Sequence, residues 1–425
     1  MPDLTVEEFI DVVHRSQLIN KDQLIDALSD CKSDGVLPSN PQVVADYLRT
    51  KGLISEWQQK NLLLGKSRGF FLGKYRLVSH LGTGGMSSVF LAQHGLMDRK
   101  VAVKVLPSSK ENDKSFLERF EREALATSRM SHPNVVRVFD IDTEKNTHYI
   151  VMEYVSGRDL KVIVEEQGPL PLDKAADYIA QAAAGLHHAH ERGLVHRDIK
   201  PANLVVSDNG LVKVLDLGLA RLEDDDELAS LTVANAENMM GTADYLAPEQ
   251  ARNAHAVDHR ADIYGLGCTF YYLLTGHAPF TDGTIAERIL KHQTEKPKDV
   301  RAERTDCPHA LADVCMTMLE KDPNSRFDSC GKVVQRLLRW LMAKGYPTAS
   351  TTSVFAGNEV DVLTLPLSSE PPPDELASVA KSESLLETRK SRSTRAPRAP
   401  LALWIFLALS VVVCLVLLAV ILLRQ

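Results

Sequence analysis

No Cys-x-x-Cys pair occurs in this sequence, although it contains six cysteines. Cys307 and Cys315 flank His309, but no fourth ligand follows at zinc-like spacing, so the pattern argues against a structural zinc module and for free thiols in a reducing compartment. A basic excess is also missing. The net charge of −7 argues against broad nucleic-acid binding, which needs a cationic face. The N-terminal residues MPDLTVEEFID have no apolar stretch, so no secretory signal is expected and the bulk of the chain is placed on the cytosolic side. Charge is absent altogether from Leu401 to Leu423. At about 1.5 Å per residue this apolar run reaches roughly 35 Å, enough to cross a hydrocarbon core of about 30 Å. Arg389, Lys390, Arg392, Arg395 and Arg398 precede it, which is the positive-inside signal for a single C-terminal membrane helix with the rest of the chain cytoplasmic.

What is there divides into four stretches. Residues 1–70 carry helix-start signals: Thr5-x-x-Glu8, Asn20-x-x-Gln23 and Ser55-x-x-Gln58 have the capping-box form, and Asn40-Pro41 places a cap before a first-turn proline. Leu18-Ile19-Asn20-x-x-Gln23 recurs as Leu53-Ile54-Ser55-x-x-Gln58, which suggests two helix-turn-helix copies forming a four-helix leader that buries Trp57. Residues 72–344 open with alternating apolar strands (Tyr75 to Leu81, Val89 to Gln93, Val101 to Leu106) and continue in helical patterns, an α+β signature. Residues 345–400, rich in Ser, Thr and Pro, are expected to be a disordered linker. The apolar run 401–423 comes last, followed by Arg424 and Gln425.

Within 81–326, polar and glycine motifs follow one another in a set order. Leu81-Gly82-Thr83-Gly84-Gly85-Met86-Ser87-Ser88-Val89 is a glycine-rich turn between two strands, and glycine lets backbone approach a phosphate closely. Lys104 lies inside the apolar strand Val101 to Val105, where desolvation disfavours an ammonium group that meets no anion. His196-Arg197-Asp198-Ile199-Lys200-Pro201-Ala202-Asn203 spaces an Asp, a Lys and an Asn in a way that core filling does not explain. Asp216 closes the apolar strand Val212 to Leu215, where a carboxylate is well placed to hold Mg²⁺. Gly241-Thr242-Ala243-Asp244-Tyr245-Leu246-Ala247-Pro248-Glu249 comes next.

In this order, over about 75–341, the motifs resemble the eukaryotic-like (Hanks-type) serine/threonine protein kinases, closest in flavour to bacterial membrane-anchored members. The resemblance implies a bilobal kinase fold, α+β, with a small β-rich lobe, a larger helical lobe and ATP between them. It implies that Asp198 orients the substrate hydroxyl, Lys200 neutralises charge on the transferred phosphoryl group, and Asn203 and Asp216 hold Mg²⁺, with Mn²⁺ as an alternative metal. Lys104 would contact the α- and β-phosphates and pair with Glu123, for which Glu118 and Glu121 are nearby competitors. Residues 81–89 would cover the phosphates, with Ser87 where a third glycine usually falls. Met152 would be the gatekeeper, backbone groups of Glu153 and Val155 would hold the adenine edge, and Ala102, Val89 and Val205 would sandwich the ring. Thr242 would contact Asp198 and Lys200, Glu249 would pair with Arg326, and Asp262 would brace the catalytic-loop backbone.

The expected partners are protein substrates and a membrane, with a homodimer as a candidate assembly. Arg197 suits a phosphate acceptor site on the activation segment. The only hydroxyl residues between Asp216 and Gly241 are Ser230 and Thr232, so autophosphorylation is expected there. The competing class is a nucleotide-binding membrane scaffold without chemistry, which the presence of Lys104, Asp198, Asn203 and Asp216 together argues against.

Overall fold

The computed structural model of this chain describes residues 4–34, 40–84, 87–106, 127–217, 243–252 and 257–346, together with 117, 120, 121, 124 and 125. All of these fall in one unit spanning Met1–Val360. The linker residues from 347 onward, the run 401–423, Glu123, Thr242, Ser230 and Thr232 lie outside the described residues. Among the described residues, no helix is long and apolar enough to cross a membrane.

Four helices come first: α1 (Val6–Ser16), α2 (Lys21–Ser33), α3 (Pro41–Thr50) and α4 (Glu56–Leu63). Their starts follow from side-chain chemistry. Thr5 and Ser55 form reciprocal capping boxes with Glu8 and Gln58, and the Asn40 side chain accepts from Val43 N–H ahead of Pro41. Asn20 accepts from Gln23 N–H at 2.7 Å. Phe9, Val13, Val44, Leu48, Ile54 and Leu62 form the core of this bundle. Trp57 departs from expectation. It is only partly buried and packs edge-on against both Phe70 of the leader and Phe90 of the sheet that follows. It therefore belongs to a seam between two cores, packing against both.

The sheet of the small lobe has the order β1-β2-β3-β4-β6-β5, comprising β1 (Phe71–Leu72), β2 (Tyr75–Gly84), β3 (Ser87–His94), β4 (Lys100–Val105), β5 (Val138–Glu144) and β6 (Thr147–Glu153), all antiparallel. Alternation along the strands sorts its residues onto two faces. Val101, Val103, Tyr149 and Val151 form one core, toward the leader, whereas Ala102, Ile150 and Met152 form another with Phe120 and Ala124.

The larger lobe holds a short sheet, β7 (Gly157–Asp159), β8 (Leu204–Ser207) and β9 (Val212–Val214), and helices built around α5 (Leu160–Gln167), α6 (Leu172–His190) and α8 (Arg260–Thr275), which is buried between its two end residues. A short α7 (Pro248–Arg252) precedes α8, and α9 (Ile285–Thr294), α10 (Val300–Glu303), α11 (His309–Met318) and α12 (Cys330–Ala343) surround it. Gly265 lets α8 run directly beneath residues 196–203, since a Cβ there would sit 2.9 Å from the Ile199 carbonyl oxygen.

Candidate active site

Asp262 is the anchor of the site. Its buried carboxylate accepts from His196 N–H at 2.8 Å and Arg197 N–H at 2.7 Å, and lies 2.8 Å from His190 Nε2. Burial would raise this carboxyl, but His190 and the backbone donor of His196 outweigh burial and hold it below the ordinary range. The expected brace between Asp262 and the catalytic-loop backbone is therefore formed. Arg197 adopts φ +66°, a strained region for a non-glycine residue, and it is held there by Asp262 on its N–H and by Gln250 Nε2 on its carbonyl at 2.8 Å.

Beyond the anchored turn, Lys200 Nζ lies 2.8 Å from Asp198 Oδ2. Asn203 Nδ2 donates to the Asp198 carbonyl oxygen at 2.8 Å and to its carboxylate at 3.1 Å. The three polar residues singled out in 198–203 thus form one hydrogen-bonded cluster. Asn203 also accepts, at its backbone oxygen, from Leu215 N–H at 2.9 Å, which places it one residue from Asp216 along the neighbouring segment. His196, to which sequence reasoning gave no role, ties the same two segments together. Its Nε2 lies 2.8 Å from the Leu215 carbonyl, while its Nδ1 accepts from Asp198 N–H at 3.2 Å.

Lys104, buried on β4, meets its anion in Asp216, with Nζ 2.9 Å from Oδ1. Asp216 itself has φ +51°, and Thr127 Oγ1 fixes the next carbonyl, that of Leu217, at 2.7 Å. Lys104, Asp216, Leu217, Thr127, Ile150 and Met152 line a single pocket under the sheet. Ala102 packs in the same cluster as Met152, with Val89, Val155 and Leu215 against it. Val205 sits on β8 between buried Leu204 and Val206, so by alternation it is on the opposite face from their core. Glu153 N–H is committed to the Arg137 carbonyl at 2.8 Å and its side chain to Lys213 at 2.9 Å.

The glycine-rich segment is a hairpin in which Gly82 faces Val89, Thr83 faces Ser88 and Gly84 faces Ser87. Leu81 is exposed and Ser87 buried, while Gly85 and Met86 lie outside the described residues. The donor set fits a hard divalent cation: a carboxylate at Asp216 and, with the Asn203 amide nitrogen committed to Asp198, the Asn203 amide oxygen. At the base of the larger lobe, the expected pair of Arg326 and Glu249 is bidentate, at 2.6 and 2.8 Å.

The protein kinase domain family matches residues 75–338. This chain belongs to the protein kinase family. The kinase is 37% identical over 297 residues to a probable serine/threonine-protein kinase of Clostridium perfringens, covering 70% of this chain and 42% of that protein. It is 36% identical over 268 residues to the serine/threonine-protein kinase PrkC of Bacillus subtilis (63% and 40% covered) and 40% identical over 271 residues to PknB of Mycolicibacterium smegmatis (63% and 43% covered). The chain thus spans less than half the length of these curated relatives. The kinase domain of Mycobacterium tuberculosis PknI is similar in structure, with a TM-score of 0.50 and 28% identity, covering 64% of this chain and 98% of that one.

Proposed function

We propose that this kinase transfers the γ-phosphate of ATP to serine and threonine hydroxyls of protein substrates. The observation that carries the reading is the Asp198–Lys200–Asn203 cluster, held by Asp262 beside Asp216. Asp198 accepts the hydrogen bond of the incoming hydroxyl and aims its oxygen at the γ-phosphorus. Lys200, already beside that carboxylate, moves its charge onto the phosphoryl oxygens as they become more negative. Lys104 holds the α- and β-phosphates, and Glu123 takes up its ion pair. Asn203 and Asp216 would hold Mg²⁺, which when bound would supply positive charge to offset that of the phosphates. Residues 81–89 cover the phosphates, Met152 gates the pocket, and Ala102, Val89 and Val205 enclose the adenine. Thr242 supports Asp198 and Lys200. Incubating the full chain with ATP and Mg²⁺ and mapping phosphate by mass spectrometry is expected to place it on Ser230 or Thr232. EDTA is expected to abolish the labelling. Labelling that persists in EDTA, or phosphate confined to the linker, defeats the respective assignment.

We further propose that the kinase is anchored from the cytoplasmic side by 401–423, supported by the charge-free run and the basic cluster before it. Homodimerisation through that span would be one route for an input. Cells expressing the full chain are expected to retain it in the membrane pellet after alkaline washing. A variant ending before Leu401 is expected in the supernatant, and its retention in the pellet would contradict the anchor.

A further inference from the structure

The leader helices pack on one face of the small-lobe sheet, and among the described residues their polar contacts with it fall on β2. Gln58, 1% exposed, donates its side-chain amide to the Leu77 carbonyl of β2 at 2.6 Å, and the Ser55 hydroxyl donates to the Val78 carbonyl. Both residues also form the capping box of α4, so their positions are fixed from within the helix. Arg76 answers from the strand, donating to the Leu53 carbonyl at 2.8 Å. The grip falls on an irregularity: β2 slips in register against β3 between Leu77 and Ser79, and again between His80 and Gly82. Strand carbonyls at such a bulge are displaced from the ladder and available to outside donors.

From that grip a line of contacts leads into the glycine-rich hairpin. The Trp57 indole meets the Phe90 ring of β3 with centroids 5.6 Å apart. Phe90 is the cross-strand neighbour of His80, and their rings lie 5.1 Å apart, edge to face. His80 Nε2 is 2.9 Å from Thr83 Oγ1, within the loop that covers phosphate. The residue before Phe90, Val89, points to the opposite face, into the cluster of Ala102 and Met152.

We propose that the leader is a built-in brace for the phosphate-covering hairpin, with Trp57 and Gln58 as positioning residues that set its grip on nucleotide through Phe90, His80 and Thr83. This rests on the reading of the cleft as an ATP site. The hairpin carries bulges and exposed residues and would otherwise sample many positions. Pinning its root and its ring stack reduces the ordering that nucleotide must impose.

The test uses the full chain with Trp57→Ala, Trp57→Phe, Gln58→Ala and, as control, Lys60→Ala, an exposed residue of the same helix paired with Glu56. Trp57→Ala and Gln58→Ala are expected to raise KM for ATP about three- to ten-fold, the loss equivalent to one net hydrogen bond, with kcat within about two-fold of wild type. Trp57→Phe and Lys60→Ala are expected to stay near wild-type KM. Hydrogen exchange in Trp57→Ala is expected to speed up at residues 81–89 and remain unchanged in α8. An unchanged KM for ATP overturns the proposal. So does exchange that rises evenly across the whole small-lobe sheet, which is the signature of a leader that merely covers apolar surface. Should the wild-type chain transfer no phosphate, the ATP reading fails, and the exchange pattern at 81–89 still decides the brace.

Discussion

Asp198→Asn is expected to reduce phosphate transfer by about a hundred- to ten-thousand-fold while leaving the fold and nucleotide affinity nearly unchanged. The side chain keeps its size, so Lys200 and Asn203 retain a neighbour of the same shape. What changes is polarity. Both partners of the carboxylate are donors, at 2.8 Å from Lys200 and 3.1 Å from Asn203, and an amide offers one oxygen and one further donor where two oxygens stood. Both donors approach the same oxygen, Oδ2, so the amide oxygen can keep them there, but its nitrogen then replaces Oδ1 and no free oxygen remains to accept the proton of the incoming hydroxyl. The Asp262 brace acts on the backbone of 196 and 197 and does not involve this side chain, so the loop should hold its course. Initial rates of labelling with γ-labelled ATP, alongside nucleotide titration of both proteins, check this. A variant that labels within about ten-fold of wild type would mean that Asp198 is not the group that handles the hydroxyl.

The polar centre was legible because its chemistry conflicts with every simple structural pattern. An Asp, a Lys and an Asn at offsets of two and three match neither a helical stripe nor strand alternation, and Lys104 in an apolar strand demanded an anion. Asp216 supplies that anion in this structure. Less could be read where the meaning of a residue depends on distant backbone. Gln58 was visible as a capping residue, a local role, but its amide also reaches β2 nineteen residues on, which no window of periodicity contains. Trp57 showed that an apolar face existed without showing what covers it. His196 looked like part of a signature, yet its work is to span two segments, from the Asp198 N–H to the Leu215 carbonyl. Strands such as Gly157–Asp159 and Val212–Val214 are too short for alternation to register, and they exist because β8 pairs with both at once.

Arg326→Met is expected to be the most destabilising single change in the larger lobe. The guanidinium side chain is fully buried, and its three nitrogens are all engaged: Nε on the Glu320 carbonyl at 2.7 Å, Nη1 on Glu249 and the Arg260 carbonyl, and Nη2 on Glu249 and the Lys321 carbonyl. Its plane also lies over the Tyr264 ring at 4.9 Å. Methionine fills part of the volume but leaves a carboxylate and three carbonyls without their donors. Removing one partner of such a buried pair costs about 3–5 kcal/mol, because the desolvated charge left behind has nothing to replace it. For a lobe of this size that corresponds to roughly 6–20 °C in Tm. Arg326→Lys should recover only a minor part, since a point charge cannot satisfy carbonyls and a carboxylate in several directions. Replacing both partners by apolar residues, Glu249→Leu with Arg326→Met, should be less harmful than the single change, since no lone carboxylate remains. Thermal unfolding of the three variants followed by circular dichroism gives the answer. If Arg326→Met melts within about 2 °C of wild type, this cross-link between α7 and the segment before α12 does not hold the lobe together.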